Sequence, residues 1–205
     1  MSQYININLK SKEVNSNIIL NTIKMILRRD NDYSENKVNS IYSSLKDKVF
    51  DSIIDLKINN NKYSIYIINS KLNSITVNSP IDEYLNKNLD IKKFLVINDP
   101  SKRAVKQIFK YKNAEFFFVH NLIKDITEPY FVPEHIKLNE EQIKLLKDKI
   151  KIKDLSTIYD LDVMSRYYGA KEGDVFKIIR PNITCGDSIY YRAVHKGKID
   201  ILFHK

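Results

Sequence analysis

Glycine is scarce in this chain of 205 residues, and its four copies, at positions 169, 173, 186 and 197, all lie within the last 40 residues. The first 168 residues therefore lack the glycine-rich loops with which many proteins cradle nucleotide phosphates. This absence excludes nucleotide binding by that route. It also places the residue type best suited to left-handed turns near the C-terminus.

Cysteines and long apolar runs are scarce as well. Because Cys185 is the only cysteine, the chain can form neither an internal disulfide nor a zinc site built from several cysteines. No apolar run approaches the roughly 18 residues of a membrane-spanning helix, and no apolar segment follows a basic N-terminus as in a signal peptide. We therefore expect an intracellular protein without a membrane partner.

The four histidines are scattered, with no partner at the spacing of metal ligands or of a catalytic triad. His135 stands next to Glu134 and behind Pro133, and we interpret it as a hydrogen-bonded positioning residue. The sequence thus predicts no catalytic residue, no metal site, no cofactor and no small-molecule substrate.

One enzymatic alternative stays open at Asp55-Leu56-Lys57, on a predicted strand. The pattern matches half of a magnesium-dependent nuclease motif, in which carboxylates hold the metal and the lysine assists a water molecule. That mechanism also needs an acidic residue on the neighbouring strand. The candidates between Asp30 and Asp51 fall mostly in predicted helices or turns, so the match can also be architectural.

Basic residues outnumber acidic ones, 34 against 25, which gives a formal charge of +9. The excess favours a polyanionic partner, although an AT-rich genome produces the same abundance of Lys, Asn and Ile. The clearest candidate is one side of a helix that Asp99 caps and Pro100 begins. The basic side of this predicted helix carries Lys102, Arg103, Lys106 and Lys110. Because a lysine-rich face is also the ordinary solvated face of a helix, proximity to duplex DNA and simple solvation both stay open.

The spacing of apolar residues in the first 137 residues predicts a sheet flanked by helices. The predicted helices lie at 13–29, after Ser34, after Pro80 and at 100–111. The predicted strands lie at 49–58, 62–69, 94–97 and 115–119. We therefore expect an α/β fold, in the broad sense that includes α+β, with a mixed sheet in an N-terminal domain.

Two prolines, Pro129 and Pro133, forbid a helix between residues 128 and 137, which we take as the end of this domain. The N-terminal domain is therefore predicted at 1–137 and a C-terminal domain at 138–205. The second domain begins with a helix that Asn139 and Gln142 cap reciprocally.

Turn-forming residues organise the stretch from Tyr167 to Arg192. Asp160 or Asp162 can open a short helix that Gly169 closes in a left-handed conformation. A strand then runs as far as Arg180, Pro181 ends it, and a second strand covers residues 188–194. Four tyrosines fit either the core or an interface: Tyr167, Tyr168, Tyr190 and Tyr191.

These residues resemble the C-terminal assembly domain of subunit five of the eukaryotic nuclear RNA polymerases, a family that includes an archaeal counterpart. The resemblance rests on an Arg-Tyr-Tyr-Gly segment ending at Gly169, a glycine four residues later, Val-x-Lys-Ile-Ile-Arg-Pro ending at Pro181, and Ile-x-Tyr-Arg-x-Val ending at Val194. It extends upstream to Val132-Pro133-Glu134-His135. Residues 195–205 continue beyond the point where the family usually ends.

The resemblance implies a non-catalytic subunit of a multisubunit DNA-directed RNA polymerase. Its C-terminal α/β assembly domain would anchor to the largest subunit beside other subunits, and its N-terminal domain, similar to the restriction-endonuclease fold, would form part of the jaw over downstream duplex DNA. The implied interface residues are Pro133, Glu134, His135, Tyr167, Tyr168, Gly169, Lys177, Arg180, Pro181, Tyr191 and Arg192.

The divergence from the family pattern favours a polymerase encoded by a large DNA virus. The expected location is then a virion or a cytoplasmic viral factory, whereas a cellular version would be nuclear. Two alternatives stay open beside the subunit interpretation: a protein of the magnesium-dependent nuclease fold and a stand-alone basic DNA-binding module.

Overall fold

The computed structural model describes residues 11–48, 51–128, 132–182 and 186–203. It divides the chain into two units, Met1–Lys124 and Asp125–Lys205, and each unit has its own four-stranded sheet. Within the described ranges, no helix combines the length and the apolar character needed to cross a bilayer.

The first unit alternates helices and strands. Its helices are α1 (Ser11–Arg29), α2 (Glu35–Ser43), α3 (Pro80–Asn86), α4 (Lys102–Ile108) and α5 (Val119–Leu122), with a short 3-10 helix at Lys46–Lys48. Its strands are β1 (Ile53–Ile58), β2 (Asn61–Leu72), β3 (Lys92–Pro100) and β4 (Ala114–Phe118). The sheet has the order β1-β2-β3-β4, with β1 antiparallel to β2 and the other neighbours parallel. The mixed sheet flanked by helices agrees with the sequence prediction.

Local chemistry explains where these elements begin. The hydroxyl groups of Ser34, Ser79 and Ser101 each accept a hydrogen bond from a backbone N–H three residues later, which caps α2, α3 and α4. Asn59 and Asn60 adopt positive φ values of 48° and 66°, the conformation that a tight hairpin turn requires between β1 and β2.

Helices cover both faces of the first sheet. On one face, Arg29 at the end of α1 lies over the Phe94 ring at 5.5 Å and forms two hydrogen bonds to the Glu115 carboxylate. On the other face, Tyr84 of α3 meets the Tyr66 ring edge-on at 5.0 Å. The strands β2 to β4 are therefore buried on both sides, as their long apolar runs require.

The start of α4 differs from its prediction. Asp99 and Pro100 belong to β3, paired with Lys71 and Leu72 beyond an irregularity in β2, and Ser101 is the cap. The reason is that β2 continues to Leu72, whose carbonyl accepts the Ser101 N–H at 2.8 Å. This longer ladder holds Asp99 and Pro100 in extended conformation.

The second unit is an antiparallel hairpin with a strand added on each side. Its strands are β5 (Glu134–Lys137), β6 (Ser156–Tyr159), β7 (Val175–Asn182) and β8 (Gly186–His195). Its helices are α6 (Glu140–Lys147) and α7 (Val163–Tyr167), with 3-10 helices at Ile152–Asp154 and Ile199–Phe203. The order is β5-β7-β8-β6, and β6 is the strand that runs parallel to its neighbour.

The division between the units differs from the boundary predicted at residue 137. The extended segment before that residue belongs to the second sheet, because β5 pairs with β7 along its whole length. The Leu138 N–H continues this pairing with a 2.9 Å hydrogen bond to the Val175 carbonyl. The segment predicted to end the first domain is thus an edge strand of the second sheet.

Strand β7 also runs further than predicted. Arg180 is not its last residue, because Pro181 and Asn182 pair with Asp187 and Gly186 of β8. Pairing with β5 stops at Ile179, so beyond that residue β7 has a neighbouring strand on one side only. Proline is tolerated at position 181 because no backbone N–H is needed on the unpaired side.

Gly169 closes α7 with a φ of 61°, as the sequence predicts. We expect Gly169→Ala to destabilise the second unit by about 1–2 kcal/mol, because a Cβ in the left-handed region clashes with the following carbonyl. The urea midpoint of unfolding measures this, and Glu172→Ala, at an exposed turn residue nearby, is the control. Equal midpoints for the glycine variant and the unchanged chain would contradict the prediction.

Candidate protein interface

Five side chains come together on one face of the second sheet. They are His135, Tyr168, Arg180, Tyr190 and Arg192, which we call the arginine–histidine face. In the strand register, Ile178 lies between His135 and Tyr190, and Phe176 has Arg192 beside it. Side chains alternate along a strand, so all these residues of β5, β7 and β8 project to the same side.

A small apolar core holds this face in place. Phe176 is fully buried, and the His135 and Tyr168 rings meet its ring edge-on at 5.8 and 5.9 Å. Ile178 and Val194 are buried in the same cluster. Packing on this core therefore fixes the His135 and Tyr168 rings, and a side chain fixed in advance loses less conformational entropy in any binding event.

His135 is positioned as the sequence predicts. Its Nδ1 lies 2.6 Å from the Pro133 carbonyl oxygen, which orients the ring. Burial lowers the pKa of His135 below its ordinary value; the Pro133 carbonyl and Asp162 oppose this effect, and Arg192 and Arg180 add to it. Burial and the two arginines thus favour the neutral form of the imidazole.

This shift predicts how stability depends on pH. Because folding lowers the pKa of His135 from 6.5, the unfolded chain binds a proton where the folded unit does not, and stability declines as pH falls below 6.5 toward the lowered pKa. Urea midpoints between about pH 7.5 and pH 5 measure the decline. His135→Gln should flatten this part of the profile, and His195→Gln, at an exposed histidine, should not. Identical profiles for all three proteins would refute the role of His135.

Arg180 and Tyr190 form an exposed pair on adjacent strands. The guanidinium carbon of Arg180 lies 5.2 Å from the centre of the Tyr190 ring, and Tyr190 remains 48% exposed. A cation held over an aromatic ring keeps its hydrogen-bond donors available at the edge. Arginine and tyrosine are also the residue types that most often dominate binding energy at protein interfaces.

The predicted interface residues do not form one surface. Tyr167 is 1% exposed and supports the core. Lys177 and Tyr191 pair with each other in the register and project to the opposite face, where Tyr191 packs against the cluster of Leu138 and Leu146 under α6. The remaining predicted residues lie at the edges and turns around the arginine–histidine face or on its reverse; they are Pro133, Glu134, Gly169 and Pro181.

Two neighbouring residues of β8, Ile189 and Tyr190, are both exposed, and they project to opposite faces of the sheet. Ile189, which the sequence analysis did not select, is 52% exposed, more than its neighbour Tyr190. An isoleucine in a strand ordinarily indicates a core position. Ile189 projects to the reverse of the arginine–histidine face, and α6 covers only the end of that reverse face that holds Val175 and Tyr191. This partial cover, which the sequence does not reveal, is what leaves Ile189 exposed.

The basic side of α4 forms as predicted. Ala104, Val105 and Ile108 are fully buried, and the four predicted basic residues are exposed. Lys110 lies beyond the last helical residue, Ile108, and Phe109 is 40% exposed with its ring edge-on to Phe116.

The nuclease alternative loses support from the register. Asp55 and Lys57 lie on the exposed side of β1, and the residue opposite Asp55 on the neighbouring strand is Ser64, where the motif requires an acid. In the described part of the chain, no group of three or more His, Cys, Asp or Glu side chains is arranged to hold a metal ion.

Comparisons with known proteins connect the second unit to one family. The family model described as RNA polymerase Rpb5, C-terminal domain, matches residues 124–194, which begins within one residue of the second unit. Subunit RPABC1 of DNA-directed RNA polymerases I, II and III from Caenorhabditis elegans is 42% identical over 96 residues, 46% of this chain and 46% of that protein. The match thus spans less than half of the nematode relative.

Two further relatives come from an archaeon and a virus. DNA-directed RNA polymerase subunit 5 of Acanthamoeba polyphaga mimivirus is 27% identical over 147 residues, 70% of this chain and 71% of the viral protein. Subunit Rpo5 of Methanocaldococcus jannaschii is 41% identical over 73 residues, 35% of this chain and 94% of the archaeal protein. Because this chain covers almost the whole archaeal subunit at that identity, it belongs to the RNA polymerase subunit 5 family.

Proposed function

We propose that this chain is a non-catalytic subunit of a multisubunit DNA-directed RNA polymerase and that its second unit anchors it to the largest subunit. The observation that carries the proposal is the exposed Arg180–Tyr190 pair on a rigid apolar sheet, within the residues that match the family. The nucleotidyl-transfer chemistry would then lie on other chains.

The arginine–histidine face suits docking better than the reverse of the sheet. Helix α6 packs on the reverse through Leu146, over Val175 and Tyr191. The arginine–histidine face instead offers two cationic side chains and a half-exposed tyrosine above a buried core. We therefore infer a partner surface that is apolar at its centre and carries acidic groups opposite Arg180 and Arg192.

For the first unit we propose a place in the jaw beside downstream duplex DNA. The support is the exposed basic side of α4, whose buried side anchors it to the sheet. The mimivirus alignment of 147 residues is longer than the second unit, so it includes part of the first unit as well. This supports a viral polymerase, acting in a virion or a cytoplasmic viral factory; a cellular polymerase would place the chain in the nucleus.

Charge reversal on α4 tests the jaw proposal. We expect the isolated chain to bind duplex DNA weakly, with a log–log salt slope of about three to four for four phosphate contacts. Lys102→Glu, Arg103→Glu and Lys106→Glu together should reduce the slope to about one and abolish binding at moderate salt. The control is Lys144→Glu, Lys147→Glu and Lys151→Glu, an equal change at exposed lysines of the second unit. A loss of binding only in the control variant would contradict this role of α4.

The subunit proposal is tested by purifying the tagged full-length chain from its native cell or infected cell. Mass spectrometry should find two chains of polymerase size in stoichiometric amount, and cross-links from the second unit should reach the larger one. Recovery of the chain alone would overturn the proposal, and a DNA-binding module would then be the better interpretation.

A further inference from the structure

The imidazole of His135 has one ring nitrogen that is hydrogen-bonded within the chain and one that is not. Its Nδ1 lies 2.6 Å from the Pro133 carbonyl oxygen. Because a carbonyl oxygen can only accept a hydrogen bond, Nδ1 must carry the hydrogen of this pair. In the neutral ring, Nε2 is then an acceptor.

No group of the chain donates to this acceptor. Among the residues that the structure describes, the Pro133 carbonyl is the one hydrogen-bond partner of the imidazole. The ring is half-buried and meets Phe176 edge-on, so the contacts with Pro133 and Phe176 together hold it in one orientation. The arginine–histidine face therefore includes a fixed acceptor beside its two cations.

Charged groups on three elements decide whether Nε2 stays an acceptor. Burial has the largest effect and lowers the pKa of His135. The Pro133 carbonyl and Asp162, which caps α7, oppose this effect. Arg192 of β8 and Arg180 of β7 add to it. The net lowering keeps the ring neutral at neutral pH, so Nε2 has a lone pair to offer.

A partner that covers this face removes water from Nε2 and must replace the lost hydrogen bond. An acceptor that is buried without a donor costs free energy. The donor cannot be a lysine or an arginine, because Arg180 and Arg192 repel a third cation. A carboxylate cannot donate at all. The donors that remain are uncharged, namely hydroxyl groups and amide N–H groups.

We propose that His135 is a specificity-determining residue of the docking face, whose Nε2 accepts a hydrogen bond from an uncharged donor on the partner, a hydroxyl or an amide. This donor lies beside the acidic groups that face Arg180 and Arg192. The inference rests on the proposed docking role of the face. It adds a selective element, because a partner surface with acidic groups alone leaves Nε2 unsatisfied and is disfavoured.

Two amide side chains in place of the imidazole test the acceptor. Glutamine can place its amide oxygen where Nε2 lies, whereas asparagine reaches only the position of Nδ1. Both variants remove the ring that packs on Phe176, so a general loss of packing affects them alike. In competition with the untagged chain for incorporation into the polymerase, we expect His135→Asn to be incorporated about tenfold less well than His135→Gln. Equal incorporation of the two variants would overturn the proposal.

The pH dependence of incorporation distinguishes an uncharged donor from a carboxylate. A carboxylate opposite Nε2 would bind only the protonated ring, so incorporation would rise as the pH falls from about 8 to 6. His135→Gln would abolish such a rise. We expect the unchanged chain to show no rise that depends on His135, and finding one would show that the partner group is a carboxylate and overturn the proposal.

Arg180→Glu in the same assay separates this inference from the docking proposal. If Arg180→Glu is excluded from the polymerase while the two His135 variants are incorporated equally, the face is the anchor and His135 is not a specificity-determining residue. If Arg180→Glu and both His135 variants are all incorporated normally, the docking proposal fails, and the inference fails with it.

Discussion

Glutamate in place of Arg180 is expected to weaken binding of the chain to the proposed polymerase partner by about 30-fold or more. The guanidinium lies over the Tyr190 ring, and Arg180 is exposed whereas Arg192 is half-buried, so Arg180 is the more accessible cation of the arginine–histidine face. Truncation of a central arginine or tyrosine at an interface commonly costs 2 kcal/mol or more, about 30-fold in affinity. Reversing its charge adds repulsion from acidic groups on the partner.

Competition between tagged variant and untagged chain for incorporation into the purified polymerase measures this effect. Lys196→Glu, an equal charge reversal at an exposed lysine of the same unit, is the control and should be incorporated normally. Tyr190→Ala should weaken incorporation as well, and the double variant by less than the product of the two, because each residue supports the other. Normal incorporation of all three Arg180 and Tyr190 variants would exclude this face as the anchor.

Phe176→Ala is expected to destabilise the second unit by about 3–5 kcal/mol. The side chain is fully buried, and the rings of His135 and Tyr168 both pack on it. A unit of this size has a total stability of roughly 4–12 kcal/mol, so the loss is a large fraction of it. The same substitution should disorder the arginine–histidine face, since that face rests on this ring.

Urea unfolding followed by NMR signals of the second unit checks this expectation. Leu145→Ala removes a side chain that is 65% exposed, and its midpoint should change little. Phe176→Leu keeps most of the buried volume and should lose clearly less stability than the alanine variant. If Phe176→Ala and Leu145→Ala had the same effect, the ring could not be the support of the face.

Sequence reasoning succeeded where a local rule decides the structure. The capping box of Asn139 and Gln142 is confirmed, as are the left-handed Gly169 and the Asp162 cap of α7. In each case the interaction joins residues at most a few positions apart. Side-chain chemistry and backbone geometry at one place are then sufficient.

The features that could not be predicted from the sequence depend on pairing between strands that are distant in the chain. The extended segment that ends at Lys137 resembles a linker in its sequence, because only its ladder with β7 reveals a strand. The ladders of β7 with β5 and with β8 separate His135 from Lys177 and Tyr191, which the family resemblance had grouped into one interface.

The ion pair between Arg29 and Glu115 affects when the first unit can fold during synthesis. This pair, and the hydrogen bond from the Asn21 amide to the Leu122 carbonyl, join α1 to the last elements of the first unit across 86 and 101 residues. Helix α1 must therefore wait for almost the whole unit to leave the ribosome before it can dock. Both sheets, however, use strands from one contiguous stretch each. The first unit can thus be complete while the second is still being translated, which spares the chain misassembly between the two.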